Sequence, residues 1–386
     1  MISITGVGAV SAAGINLSET LESFRHGMRN AGPVTLFETP LQYPVFAVKH
    51  IPDKFYLEGQ RTLSLALIAA DEALRDAGLG NDLSGLRVGV CMGTTVACQL
   101  NDLAFYQAYR NTGSASMIPV DRYLKGNLAE FISRKFRARG PALTVVNACS
   151  SGTDAIGVAL SWLKNGLCDI AIAGGADELN RIPLCGFGSL GIVSGELCAP
   201  FDRDRNGLNL GEGAGVMVLE TKKSAARRGR SSDLYLLGYG SASDAYHLTA
   251  PHPEGAGLGR AIHKALSDSG ISPGEISYVN AHGTATQDND LVEGNTLARI
   301  FGTELKMLST KGYTGHTLGA AGGLEAVFTA AALREGWIPA SAGFCHRDEN
   351  IRLLPVREWT DITGDYALST SLAFGGNNAA VVIGRE

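Results

Sequence analysis

The chain has 386 residues, 45% hydrophobic and 18% charged, with 49 glycines and a formal net charge of −5; this suits a glycine-turned α/β enzyme with a large core and excludes a disordered or fibrous chain. The acidic balance excludes a general nucleic-acid binder, whose surface must neutralise phosphates, and no run reaches the roughly 18 apolar residues that span a bilayer. Seven cysteines without a Cys-x-x-Cys pair suggest neither a disulfide framework nor a zinc site, so a reducing, cytoplasmic setting is expected.

The opening Ile2–Ser11 predicts a strand running into a glycine-rich turn. Gly6-x-Gly8 could begin a dinucleotide loop, but the third glycine of that fingerprint falls on Ser11. Leu63, Leu67, Ala70 and Leu74 predict a helix over 61–77 that stops at Gly78, and a strand follows over 86–94. The basic clusters at 134–139 and 222–230 read as solvated helix faces. The apolar run Leu143–Val146 halts at small residues around Cys149, after which Ala155, Ile156, Ala159, Leu160 and Leu163 recur with helical spacing. Cys149 is thereby placed on a strand-to-helix turn, where free N–H groups and the positive end of the helix dipole favour a thiolate. A nucleophile is expected there, against the alternative of a small buried hydrophobe. Buried strands follow at 169–177 and 216–219.

An internal repeat organises the rest. Ala73-Leu-Arg-Asp-Ala-Gly78 recurs as Ala265-Leu-Ser-Asp-Ser-Gly270, and each copy precedes a strand closing on Gly-Thr, at Gly93-Thr94 and Gly283-Thr284. Two α/β halves are expected, 1–228 with the cysteine and 229–386, built on parallel or mixed sheets buried on both faces. Reactive groups should gather at strand ends near the join. The second half offers His282 at a strand end and His316 in a run of small residues that permits close approach.

Four segments carry a family resemblance: Asn147-Ala-Cys-Ser-Ser-Gly152, Ala281-His-Gly-Thr-Ala-Thr286, Lys311-Gly-Tyr-Thr-Gly-His-Thr-Leu-Gly-Ala-Ala-Gly322 and Ala373-Phe-Gly-Gly-Asn-Asn378. In this order they resemble the signatures of the elongating β-ketoacyl-acyl carrier protein synthases of the thiolase superfamily. The resemblance implies the thiolase fold, a duplicated five-layered αβαβα architecture. It implies that Cys149 accepts an acyl chain as a thioester, and that malonyl-acyl carrier protein is decarboxylated so that its carbanion attacks that thioester. His282 and His316 would stabilise the enolate, and the N–H groups of Cys149 and Phe374 would hold the tetrahedral oxyanion beside the permissive Gly375-Gly376 pair. Lys311, with Glu325 and Asp290, matches buried polar support, with Lys311 expected to pair with a carboxylate and orient His316. Thr284 and Thr286 match threonines that bind the pantetheine arm.

By the same resemblance the enzyme needs no resident cofactor, since 4'-phosphopantetheine arrives on the carrier protein. Its expected partners are acyl carrier protein in acyl and malonyl forms, and a second subunit, identical or chain-length-factor-like. The set of one cysteine and two histidines differs from that of thiolases, which use a second cysteine, and from initiating synthases, which usually carry asparagine where His316 stands. The alternative is a non-catalytic chain-length-factor-like subunit, which normally lacks the nucleophile; a thiol hydrolase ranks third. The chain departs from the family pattern at Ala373 and Asn377, at Asn206 and Leu208 of Arg205-Asn-Gly-Leu208, and around Gly191, where a basic residue often stands. These departures favour an iterative polyene or polyketide pathway over primary fatty acid synthesis. Pocket depth is expected to depend on residues 99–120 acting across the dimer, with Phe105 and Met117 as candidates.

Overall fold

Period-two apolar runs and glycine stops produce twelve strands in the computed structural model, which describes residues 1–95, 103–125 and 127–386. They are β1 (Ile2–Ser11), β2 (Val88–Gly93), β3 (Ala142–Val145), β4 (Ile170–Asp177), β5 (Gly213–Thr221), β6 (Leu234–Ser243), β7 (Ile276–Asn280), β8 (Lys306–Leu308), β9 (Trp337–Ile338), β10 (Thr360–Asp361), β11 (Tyr366–Ala373) and β12 (Asn377–Arg385). β9 and β10 pair separately, and the other ten run in the order β3-β2-β4-β5-β1-β6-β12-β11-β7-β8.

The order is the same five-strand pattern written twice. β2 lies parallel to β3 and β4, while β4, β5 and β1 alternate antiparallel. Likewise β7 lies parallel to β8 and β11, while β11, β12 and β6 alternate antiparallel. The two sets pair where Ile2 lies opposite Leu236 and Ser3 opposite Tyr235.

Helix character decides which layer each helix occupies. Ala321–Glu335 is buried on every side from Ala321 to Leu333, as a central position requires. Together with Ser151–Lys164 it fills the space between the two sets of strands, in a core that includes Ile156, Leu160, Leu324 and Val327. Ala256–Ser269 buries one stripe and covers one outer face, while Arg61–Asp76, buried throughout from Thr62 to Ala70, covers the other and packs against the helix Leu128–Lys135. Five layers αβαβα result.

The repeat noted in the sequence has a steric origin. A Cβ on Gly6 or Gly8 would come within 2.1 Å of the carbonyl oxygens of Ala73 and Ala69, and one on Gly238 or Gly240 would come within 2.2 Å and 2.0 Å of those of Ala265 and Ala261. The Gly-x-Gly pairs therefore let a strand rest on helix backbone, a role unrelated to nucleotide phosphates. Asp76 and Asp268, at corresponding places in the repeat, accept the N–H groups of Val7 and Tyr239 at 2.9 and 3.1 Å.

Candidate active site

The strand β3 ends at Val145, and the helix begins at Ser151. Between them Ala148 takes φ +50°, a left-handed conformation unusual for a residue with a Cβ. That sharp turn sends the chain from strand to helix within a few residues and brings the Cys149 thiol to the end of a cavity of about 290 Å³. His282, beyond the end of β7, and His316, beyond β8, line the same cavity, as do Thr284, Thr286, Phe374 and Phe187. Strand ends of both halves thus converge, as open α/β sheets arrange their ligands.

The two imidazole rings lie 5.2 Å apart, nearly perpendicular. His316 Nδ1 accepts the Leu318 N–H at 3.2 Å, and Lys311 Nζ sits 3.1 Å from His282 Nδ1. With both Nδ1 atoms occupied as acceptors, each ring carries its proton on Nε2. Burial drives both histidines well below the usual imidazole range, helped by the positive charge of Lys311, and for His282 also by His316. The cavity therefore contains two neutral imidazoles that can donate a hydrogen bond to developing negative charge.

Lys311 is buried and touches Glu325 Oε1, as well as the His282 carbonyl at 2.6 Å. Burial pushes the Glu325 carboxyl up to about 7, against the pull of Lys311. The expected carboxylate partner is thus present, but the expectation that Lys311 orients His316 is corrected: its ammonium meets the ring and carbonyl of His282, because the turn Lys311–Thr314 follows β8, the parallel neighbour of β7. Asp290 also serves a different group. Its carboxylate takes the N–H groups of Ala285 and Phe201 and lies 3.9 Å from Arg205, so it secures the loop carrying Thr284 and Thr286. Those two hydroxyls are 2.9 Å apart.

Three residues of the site escape the sequence reading. Glu293 accepts the N–H groups of His282 and Gly283, both at 2.8 Å, and the Thr370 hydroxyl at 2.7 Å. Asp177 accepts from Thr94 and Thr95 in the first half and from Gly319 beside the His316 segment. The Phe187 ring stacks on Phe374 at 5.4 Å and meets His316 edge-on at 6.4 Å. An acid three residues after Asp290 on the same helix is the sequence signal that could have found Glu293.

Phe374, Gly375 and Gly376 form the turn between β11 and β12, with both glycines at positive φ, +85° and +78°. The Gly375 N–H donates to the Leu248 carbonyl, and Gly376 accepts the Asp244 N–H, each at 2.7 Å. The Asn377 amide reaches the Phe374 carbonyl at 3.4 Å. Among the departures noted above, Ala373, Gly191, Asn206 and Leu208 all line the cavity. Of the stretch 99–120, residues 99–102 lie outside the described residues. Phe105 stacks on Tyr109, Met117 is exposed, and neither lines this cavity.

The Phe374 N–H lies beside the Cys149 thiol and favours its ionised form. Contrary to the expectation of easy ionisation, burial pushes the thiol up to about 11, and Lys311 and the Phe374 N–H offset only part of that. An enclosed sulfur loses more solvation than nearby charge returns. The rate of Cys149 alkylation by iodoacetamide should accordingly climb about tenfold per pH unit from pH 7 towards 10, tracking the thiolate fraction; a plateau below pH 8 would contradict the raised value.

Residues 1–225 match the family model for the beta-ketoacyl synthase N-terminal domain, and residues 235–345 match that for the beta-ketoacyl synthase C-terminal domain. A 3-oxoacyl-[acyl-carrier-protein] synthase 2 of Staphylococcus aureus (strain N315) is 34% identical over 98% of this chain and 97% of its own length. Among solved structures, the ishigamide ketosynthase/chain length factor superposes with a TM-score of 0.94 at 32% identity, covering 100% of this chain and 99% of that one. The ketosynthase ApeO in complex with its chain length factor ApeC from Xenorhabdus doucetiae gives a TM-score of 0.87 at 31% identity, covering 100% and 98%.

Proposed function

Because this chain belongs to the β-ketoacyl synthase family, we propose a division of labour in its cavity and a place for it in iterative polyene or polyketide assembly. The carrying observation is that Cys149, His282, His316 and Phe374 line one cavity. Cys149 Sγ attacks the acyl thioester of the carrier protein, and the carrier thiol leaves. Malonyl-carrier protein then enters with its pantetheine arm along Thr284 and Thr286. Its carboxylate departs as carbon dioxide while the Nε2–H groups of His282 and His316 hold the enolate oxygen. The enolate carbon forms the new C–C bond at the acyl carbonyl, the C–S bond to Cys149 breaks, and the β-ketoacyl product leaves on the carrier. The N–H groups of Cys149 and Phe374 stabilise the tetrahedral oxyanion in both acyl steps. No step requires a metal or a resident cofactor.

The complete nucleophile and histidine set favours a catalytic chain over a chain-length-factor-like one. Two features support pairing with a second subunit of either kind. Strand β3 is the sheet edge, with Leu143 44% and Val146 67% exposed, and structural relatives include ketosynthases solved with a chain length factor. The cavity-lining departures at Ala373, Asn206 and Leu208 support the secondary pathway. The test is to purify the chain with and without a chain-length-factor-like partner and supply acyl- and malonyl-carrier protein. Repeated extension only with the partner is expected, and a single extension by a homodimer would place the enzyme in fatty acid synthesis. Absence of β-ketoacyl product from either form, with every primer tried, would sink the reading.

A further inference from the structure

The turn that presents Cys149 is held from outside the cavity. Asp154, 5% exposed in the first turn of the helix Ser151–Lys164, receives the Asn147 amide at 2.5 Å and the Ser150 hydroxyl at 2.8 Å on one carboxylate oxygen. Asn147 and Ser150 bracket Ala148, whose φ is +50°, and Cys149. The other carboxylate oxygen of Asp154 accepts the Tyr239 hydroxyl at 2.7 Å. Tyr239 belongs to β6 in the second half, and its ring lies on Gly157, where a Cβ would come within 2.5 Å of three ring carbons. Only a glycine at 157 lets the ring cross the join and reach Asp154.

We infer that Asp154 and Tyr239 are positioning residues for the nucleophile, fixing the left-handed turn so that the Cys149 sulfur and N–H stand ready for acyl transfer. Neither residue lines the cavity, so they act through Asn147 and Ser150. A carboxylate at 154 meets three donors at once, and the tyrosine ties the thiol-bearing turn of one half to the sheet of the other. A left-handed alanine is costly unless its surroundings impose it, and these hydrogen bonds add to those of Ser151, whose hydroxyl accepts the Asn147 N–H at 2.8 Å and donates to the Ala148 carbonyl at 2.6 Å. The inference rests on Cys149 being the acyl carrier site.

The experiment compares Tyr239→Phe, Asp154→Asn and Asp154→Ala in single-turnover acylation by acyl-carrier protein and in decarboxylation of malonyl-carrier protein, a reaction of the histidines. Tyr239→Phe should slow acylation about fivefold, the factor that one lost hydrogen bond of about 1 kcal/mol corresponds to, with KM for the carrier unchanged. Asp154→Ala should slow it about thirtyfold or more, since two further donors lose their acceptor, and Asp154→Asn should fall between wild type and alanine. Decarboxylation should stay within twofold of wild type throughout. Wild-type acylation by Tyr239→Phe, or an equal fall in decarboxylation, overturns the assignment; Tyr239→Phe carries the test if Asp154→Ala does not fold. Acylation of a Cys149→Ala control would instead overturn the underlying reading of the nucleophile.

Discussion

Cys149→Ala should abolish acyl transfer, with at least about a thousandfold loss of acylation, the scale seen when a covalent nucleophile is deleted. The thiol is buried at the cavity end and flanked by the Phe374 N–H, and the other cysteines found among the described residues do not line this cavity. None of those sulfurs is therefore placed to substitute. Intact mass after incubation with acyl-carrier protein should show the acyl increment on wild type and none on the variant. Because His282 and His316 keep their own partners on Nδ1, the variant should still release carbon dioxide from malonyl-carrier protein. An acylated alanine variant would show that the chain is carried elsewhere.

His282→Ala and His316→Ala should separate the two half-reactions in the opposite direction. Each removes one neutral N–H donor from the developing enolate, and the loss of one such donor costs about 10²–10³ in rate. Condensation should fall by that factor in each variant, while acylation of Cys149 stays within about tenfold of wild type. Since both rings sit well below the usual imidazole range, lowering pH from 7.5 to 6 should not suppress condensation through their protonation. The depressed values also carry a sign for stability: an unfolded histidine takes up a proton as pH falls through its ordinary range and these buried ones do not, so the fold loses stability below about pH 6.5. Rapid-quench assays with pre-acylated enzyme measure the condensation step. A His316→Ala enzyme that loses acylation as completely as Cys149→Ala would contradict the division of labour.

Features carried by local residue type were legible from the sequence. The strand-to-helix turn at Cys149, the histidines beyond strand ends and the duplicated Ala-Leu-x-Asp-x-Gly stretch each depend on neighbours a few positions away, so chain order reveals them. The partner of Lys311 was half legible: the family resemblance implied a carboxylate, but the choice of His282 over His316 depends on β8 lying alongside β7. The thiol acidity was misjudged for the same reason. A helix start can be read from sequence, whereas the enclosure of a sulfur depends on segments more than a hundred residues away. Phe187, Asp177 and Glu293 went unrecognised because an aromatic or acidic residue acquires its role only from what the fold brings against it.

The two ends of the ten-stranded sheet are guarded unequally, which bears on how the chain behaves when made alone. At one end β8 is three residues long, opens with Lys306, and its Met307 carbonyl is taken by the Val356 N–H. At the other end β3 exposes Leu143 and, just past it, Val146, on an edge that no other strand pairs with among the described residues. Open, apolar strand edges invite further strands to add to them. Leaving that edge uncovered should drive the chain into soluble aggregates or inclusion bodies, and co-expression with a subunit that covers it should raise the yield of monodisperse protein.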